Sequence, residues 1–263
     1  MELDDAYANG AYIAGAESYP PRWAAEAQAF RDALGARARI GLRYGGAERE
    51  VFDLFLPEGD ARGTVVFVHG GYWRAFDRST WSHLAAGAVN RGWAVAMPSY
   101  TLCPKNRISG ITNQIAAAVS EVAAQTEGSL VLTGHSAGGH LVARMLAPGM
   151  LPARVAERVE RVVPISPLTD LEPFLKTSMN EDFRMDLAEA QAESPIHQPA
   201  PDVPVTIWVG GDERPAFLDQ ARWLADAWDV PCHVEPGKHH FDVIDALGDP
   251  DSELTRLLTG AAL

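Results

Sequence analysis

Six short runs of apolar residues, GTVVFVHG, WAVAMPSY, SLVLTGHS, RVVPISP, VPVTIWVGG and PCHVEP, recur along this chain with helical patterns between them. Several are apolar at nearly every position, as strands covered on both faces must be. The intervening segments STWSHLAAGAVNRG, ITNQIAAAVSEVAAQ, GGHLVARMLA and AFLDQARWLADAW carry the apolar spacing of helices. Strand, helix and strand in repetition predict a mostly parallel sheet with helices on both faces. Upstream, ARIGLRY and EREVFDLFLP flank the turn residues GGA. They predict an antiparallel hairpin at one edge, which brings the sheet to eight strands.

A chain of 263 residues suffices for one large α/β domain or two small ones. No repeat, low-complexity tract or linker rich in Pro, Gly or Ser divides it, so residues 1–263 are read as a single domain. Two segments fall outside the strand–helix rhythm. The N-terminal helical segment, residues 1–36, includes ESYPPRWAAEAQAFRDAL, with Trp23 and Phe30 available for burial. The insertion at residues 168–195, LTDLEPFLKTSMNEDFRMDLAEAQAESP in its setting, is too long for a simple turn. Both are candidate lid elements, because additions near the carboxyl ends of strands shape ligand sites in open α/β sheets.

Composition narrows the classes of function. A hydrophobic share of 47% supports a sizeable core, and a formal charge of −13 argues against binding nucleic-acid phosphates. The two cysteines, Cys103 and Cys232, do not form a disulfide framework and read as reduced thiols. MELDDAYANG lacks the basic and apolar regions of a signal peptide, and no apolar run is long enough to span a bilayer. The expectation is a cytoplasmic protein with no membrane partner; a homo-oligomer is compatible with the sequence.

The chemistry concentrates on GHSAGG. Gly134-His135-Ser136-Ala137-Gly138 fits G-x-S-x-G between an apolar strand and a helix, where a nucleophilic serine is presented on a tight turn. A serine in such a place can also simply cap the helix. What raises it above a cap is the rest of the apparatus. A serine hydroxyl needs a base, and the base needs an orienting carboxylate, each beyond a later strand. GGDERP places Asp212 after the seventh strand, and GKHHFDVI places His239 and His240 after the eighth. Asp170 in PLTDLEP and Asp242 beside the histidines are rival acids, of which Asp212 is preferred. Spacing alone does not choose between His239 and His240. His69-Gly70-Gly71-Tyr72-Trp73, at the end of the third strand, occupies the place of an HGGG-type oxyanion loop. Gly71, Tyr72 and Ala137 are the expected backbone donors. His135 and His140 lack a metal-ligating spacing, and neither HExxH, GxGxxG nor a P-loop is present. No metal and no cofactor is therefore expected.

HGGYW, SYTLCP, GHSAGGHL, DLEPFLKTSMN, AQAESP, GGDERPAF and HHFDVID together resemble the arylformamidase (kynurenine formamidase) branch of the α/β-hydrolases. The resemblance runs from the hairpin to the last helix, and its HGG and Y-x-L-x-P elements are shared with hormone-sensitive-lipase-like esterases. It implies the α/β-hydrolase fold and hydrolysis of N-formyl-L-kynurenine to kynurenine and formate. It also implies that Ser136, Asp212 and His240 match the family's triad positions, with His240 as the histidine that precedes Phe. His239 departs from the pattern, since related sequences can carry an acid there. Tyr72, Trp73, Tyr19 and Trp23 are candidate stacking partners for the ring of an acyl or formyl aryl substrate. A broad short-chain carboxylesterase with the same triad is the alternative enzyme, and a non-catalytic binding module would require loss of a triad member.

Overall fold

The computed structural model describes residues 1–260. Its eight strands form one sheet in the order β1-β2-β4-β3-β5-β6-β7-β8. β1 (Ala38–Arg43) and β2 (Val51–Phe55) pair antiparallel, and β2 is also antiparallel to β4 (Ala94–Pro98). From β4 the sheet is parallel through β3 (Gly63–Val68), β5 (Ser129–His135), β6 (Val159–Ile165), β7 (Ile207–Gly210) and β8 (Cys232–Glu235). The fold is that of an α/β hydrolase. β3, β4 and β7 are buried at every position, whereas β8, at the open edge, is not, which explains why only the inner strands read as uninterrupted apolar runs.

Nine helices pack around this sheet among the described residues: α1 (Tyr19–Leu34), α2 (Ala86–Asn90), α3 (Ile108–Gln125), α4 (Ala137–Arg144), α5 (Ala153–Ala156), α6 (Asn180–Phe183), α7 (Leu187–Glu193), α8 (Pro215–Trp228) and α9 (Glu253–Leu258). Alternation along the strands divides the core. Val66 and Leu132 point to one face, with Ile115 of α3, Leu141 of α4 and Leu224 of α8; Val65 and Val131 point to the other, with Trp23 of α1, Val89 of α2 and Leu254 of α9. α3 buries Ile108, Ile111, Ile115, Val119 and Val122, a stripe at helical period. STWSHLAAGAVNRG reads as one helix but folds as two 3-10 turns followed by the short α2. Gly87 there lies against the Leu247 carbonyl, where an added Cβ would stand 2.4 Å from the oxygen, so tertiary contact rather than helix propensity sets the local path. No helix among the described residues is long and apolar enough to cross a membrane.

The registers bring chemistry to one edge. Val68 of β3 lies beside Gly134 of β5, and His135 beside Ile165 of β6, so the chain leaves three neighbouring strands at the same level. The turn after β5 then packs directly on β3. A Cβ at Gly138 would stand 1.9 Å from the Val68 carbonyl oxygen, and one at Gly134 would stand 2.5 Å from the Gly138 oxygen. The two flanking glycines are thus demanded by backbone on backbone contact. Gly138→Ala is expected to cost at least about 2 kcal/mol as overpacking and to lower Tm by roughly 4–8 °C for a chain of this size. Thermal melts of the variant check this, and an unchanged Tm would show that the turn can yield.

Candidate active site

Ser136 sits at the end of β5 with φ 57° and ψ −116°. A non-glycine residue there stores about 1–3 kcal/mol of strain and persists only where its surroundings hold it. Here the Ser136 N–H donates to the Ile165 carbonyl at 2.8 Å, and its carbonyl accepts from His140 N–H at 3.0 Å. Ala137 follows as the first residue of α4, so its N–H has no acceptor within the helix.

Beyond β7 the sequence expectation needs correction. Asp212 is exposed; its backbone N–H donates to the Lys238 carbonyl at 2.9 Å, and its carboxylate makes no hydrogen bond to a histidine. The acid that turns inward is Glu213. The turn from Gly210 to Glu213 directs this side chain back over the sheet, where it is fully buried. Its Oε2 lies 2.6 Å from His240 Nδ1, while its Oε1 accepts from Gly210 N–H at 3.0 Å and from the Ser166 hydroxyl. A carboxylate only accepts, so Nδ1 carries the proton and Nε2 is left free as a base. Three donors on one buried carboxylate offset much of the cost of removing it from water. GGDERP contained both acids, and no local signal separates neighbours on a turn.

His240 is 4% exposed, its ring between Phe217 at 4.3 Å and His135 at 4.5 Å. Burial and the nearby His240 push His135 well below its ordinary range, so it is a neutral neighbour. His239 belongs to another group of contacts: Nε2 meets the Tyr19 hydroxyl at 3.0 Å, and Nδ1 lies 3.1 Å from Asp242. Asp170 accepts from Glu172 N–H at 2.9 Å, away from both histidines of the loop. Asp170, Glu172 and His197 do bring ligand atoms within 4.8 Å of one another, and none of the three lines the cavity that holds Ser136.

The loop after β3 meets the elbow from the other side. His69 is buried and stacked on Tyr100 at 4.4 Å, with its Nδ1 2.7 Å from the Gly70 carbonyl. Gly71 has φ +106°, and Tyr72 and Trp73 follow with φ 50° and 54°, so the backbone curls for three residues. The Gly71 carbonyl accepts from both Arg74 and Ala75 N–H at 3.0 Å, closing the curl. Gly71 and Tyr72 face the same cavity as Ser136 and His240.

That cavity has a volume of about 450 Å³. Trp23, Phe76, Trp81 and Phe241 form an aromatic wall, with Trp23 and Trp81 rings 4.6 Å apart. Of the aromatic residues expected to meet substrate, Tyr72 and Trp23 line it. Tyr19 does not; it packs behind, against Trp23 and Phe241 at 5.5 Å. Trp73 is wholly buried and boxed by His140, Phe174 and Phe183 at 5.1, 5.9 and 5.4 Å, so it anchors the loop instead of facing substrate. Both irregular segments supply wall. Tyr7 and Asn9 come from the N-terminal segment and Ser178 and Met179 from the insertion. The Tyr72 hydroxyl donates to the Tyr7 carbonyl at 2.6 Å, tying the first segment to the curled loop. Sequence reasoning had no means of finding Tyr7, Asn9 or Phe76, which reach the cavity only through long-range packing.

Known proteins resemble this chain in sequence and in fold. Residues 65–201 match a family described by the alpha/beta hydrolase fold. The kynurenine formamidase of Salmo salar is 27% identical over 239 residues, 85% of this chain and 81% of the relative. That of Danio rerio is 29% identical over 234 residues, 83% and 80% of the two chains. Among solved structures, a protein of Silicibacter sp. TM1040 described as a candidate thioesterase is 62% identical, with a TM-score of 0.98 over 99% of this chain and all of its own. Thermogutta terrifontis esterase 2 shares the fold at 19% identity, with a TM-score of 0.67 over 87% of this chain and 97% of its own.

The buried histidines make stability depend on pH. Burial pushes His69, His83 and His140 down to about 4. Their unfolded value lies near 6.5, so between those limits the unfolded chain binds more protons than the folded one. Stability is therefore full above pH 6.5 and declines as pH falls toward 4. Thermal melts should show Tm dropping between pH 6.5 and 4.5, with a shallower drop in His140→Gln. A flat profile over that interval would contradict the neutral, buried state.

Proposed function

The chain belongs to the α/β-hydrolase family and is a hydrolase; from that premise we propose that Ser136, His240 and Glu213 form its catalytic triad and that it cleaves an aryl formamide, N-formyl-L-kynurenine, to kynurenine and formate. The observation that carries the reading is the buried Glu213–His240 pair at 2.6 Å, opening on the cavity that also holds Ser136. His240 Nε2 takes the Ser136 proton as the hydroxyl oxygen attacks the formyl carbon, and the Glu213 carboxylate stabilises the imidazolium. The N–H groups of Gly71, Tyr72 and Ala137 receive the negative charge that gathers on the carbonyl oxygen. Each such donor is worth about 3 kcal/mol in the transition state. The tetrahedral species collapses as His240 returns the proton to the departing aryl amine. Water then attacks the formyl ester of Ser136 by the same route and releases formate.

The shape of the cavity and the names of the relatives support this substrate. A formyl group carries only hydrogen on its carbonyl carbon and needs almost no acyl pocket. Nearly all of the 450 Å³ is then left to the leaving group, and the wall of Trp23, Phe76, Trp81 and Phe241 suits an aromatic ring. Both fish relatives carry the name kynurenine formamidase across most of this chain. A thioester, the substrate type in the description of the Silicibacter protein, would use the same serine chemistry and belongs in the comparison.

The experiment measures kcat/KM on N-formyl-L-kynurenine, p-nitrophenyl acetate and acetyl-CoA. Formylkynurenine should be preferred, with activity falling by about 10⁶ in Ser136→Ala. Turnover of the acetate or thioester alone removes the formamide assignment and leaves the serine chemistry. Within the triad, Glu213→Gln should lower kcat by roughly 10⁴, whereas Asp212→Asn should stay within about twofold, as exposed substitutions commonly do. The reverse ranking would return the acid to Asp212.

A further inference from the structure

Besides its two histidines, the cavity is lined by two charged side chains among the described residues, Arg74 and Asp4. Arg74 is well placed to select substrate. It belongs to the turn that carries the proposed oxyanion donors, its own N–H bonded to the Gly71 carbonyl at 3.0 Å. The guanidinium reaches across to the insertion, where Nη1 meets Asp182 of α6 at 3.0 Å. Both partners are about two-fifths exposed, at 41% and 39%. An ion pair that open to water contributes little, so an arriving anion can displace Asp182 at small cost. The planar guanidinium fork fits a carboxylate through two parallel hydrogen bonds.

We propose that Arg74 is a specificity-determining residue that binds a carboxylate carried on the leaving group of the substrate. The inference rests on the reading of this cavity as a serine-hydrolase site and adds to it the residue that recognises the substrate's carboxylate. A carboxylate in an otherwise aromatic cavity of a protein with net charge −13 needs a local cation, and Arg74 is the cationic side chain there. Asp182 competes for the same guanidinium, so its charge should weaken substrate binding while leaving the bond-breaking step alone. Asp4, on the same cavity, is already paired: its carboxylate accepts from Ser178 N–H at 2.6 Å and from the N-terminal ammonium of Met1, so Arg74 is the charge there that a substrate can recruit.

The test compares substrates that share a scissile bond: the ester pair differs in a carboxylate alone, and the formamide pair in the amino-acid side chain that carries one. N-formyl-L-kynurenine is set against formanilide, and 4-acetoxybenzoate against phenyl acetate, in wild type, Arg74→Gln, Arg74→Lys and Asp182→Asn. Loss of a charge-assisted bond predicts a fall of roughly 10–100-fold in kcat/KM for the carboxylate-bearing member in Arg74→Gln, through KM. The uncharged member should stay within about twofold, Arg74→Lys should recover part of the loss, and Asp182→Asn should lower KM for the carboxylate substrate. Equal effects on both members of a pair, or none on either, overturn the assignment of Arg74 while leaving a functioning hydrolase in view. If the ester pair shows the selectivity and the formamides are not turned over, Arg74 stands and the formamide reading fails. No turnover of any of the four would overturn both.

Discussion

The buried carboxylate of Glu213 is the contact on which the site depends. It gathers a hydroxyl from the end of β6, a backbone N–H from the end of β7 and an imidazole from the loop after β8. Three separate strand ends are thereby held at fixed distances by one group. Such a carboxylate is stable in the interior because its lone pairs are occupied, and removal of any donor would leave uncompensated charge. The same bonding sets the histidine tautomer, so structural satisfaction and the preparation of a base are one arrangement.

On the other side of Ser136 the constraint is space. The elbow leaves no room between the Val68 carbonyl and Gly138, and the strained φ of Ser136 is held by hydrogen bonds at both its N–H and its carbonyl. The curled residues Gly71, Tyr72 and Trp73 are held in turn by burial of the Trp73 ring and by the Tyr72–Tyr7 bond. Backbone strain at the site is therefore balanced by packing outside it. The N-terminal segment and the insertion take part in that balance, since one receives the Tyr72 hydroxyl and the other boxes Trp73.

The irregular segments also give the cavity its chemical character. The strand ends contribute serine, histidine and backbone N–H groups, which suit acyl transfer in general. The aromatic wall draws Trp23 from α1 and Phe241 from the loop after β8, and the insertion brings Met179 inside and Asp182 opposite Arg74. Under the proposed hydrolysis, reaction type resides with the sheet, and the choice of leaving group with what surrounds it.

Much of this was legible in the chain because it is written in local patterns. Runs of buried strand residues, the period of α3 and the tight G-x-S-x-G turn each depend on neighbours a few residues away, so eight strands, Ser136 and the HGG loop could be read directly. The sequence by itself determined the fold class and the place of the G-x-S-x-G turn that carries Ser136. Tertiary structure decided the rest. Asp212 and Glu213 are adjacent acids on one turn; the bond from Asp212 N–H to the Lys238 carbonyl fixes that turn against a distant strand connection, and the Glu213 carboxylate is the one that meets Ser166, Gly210 N–H and His240. Trp73 reads as a substrate contact beside two glycines, yet Phe174 and Phe183, a hundred residues on, enclose it. Periodicity reports which face of an element is buried; it carries no record of which remote side chains will meet there, and those meetings select the acid and shape the cavity.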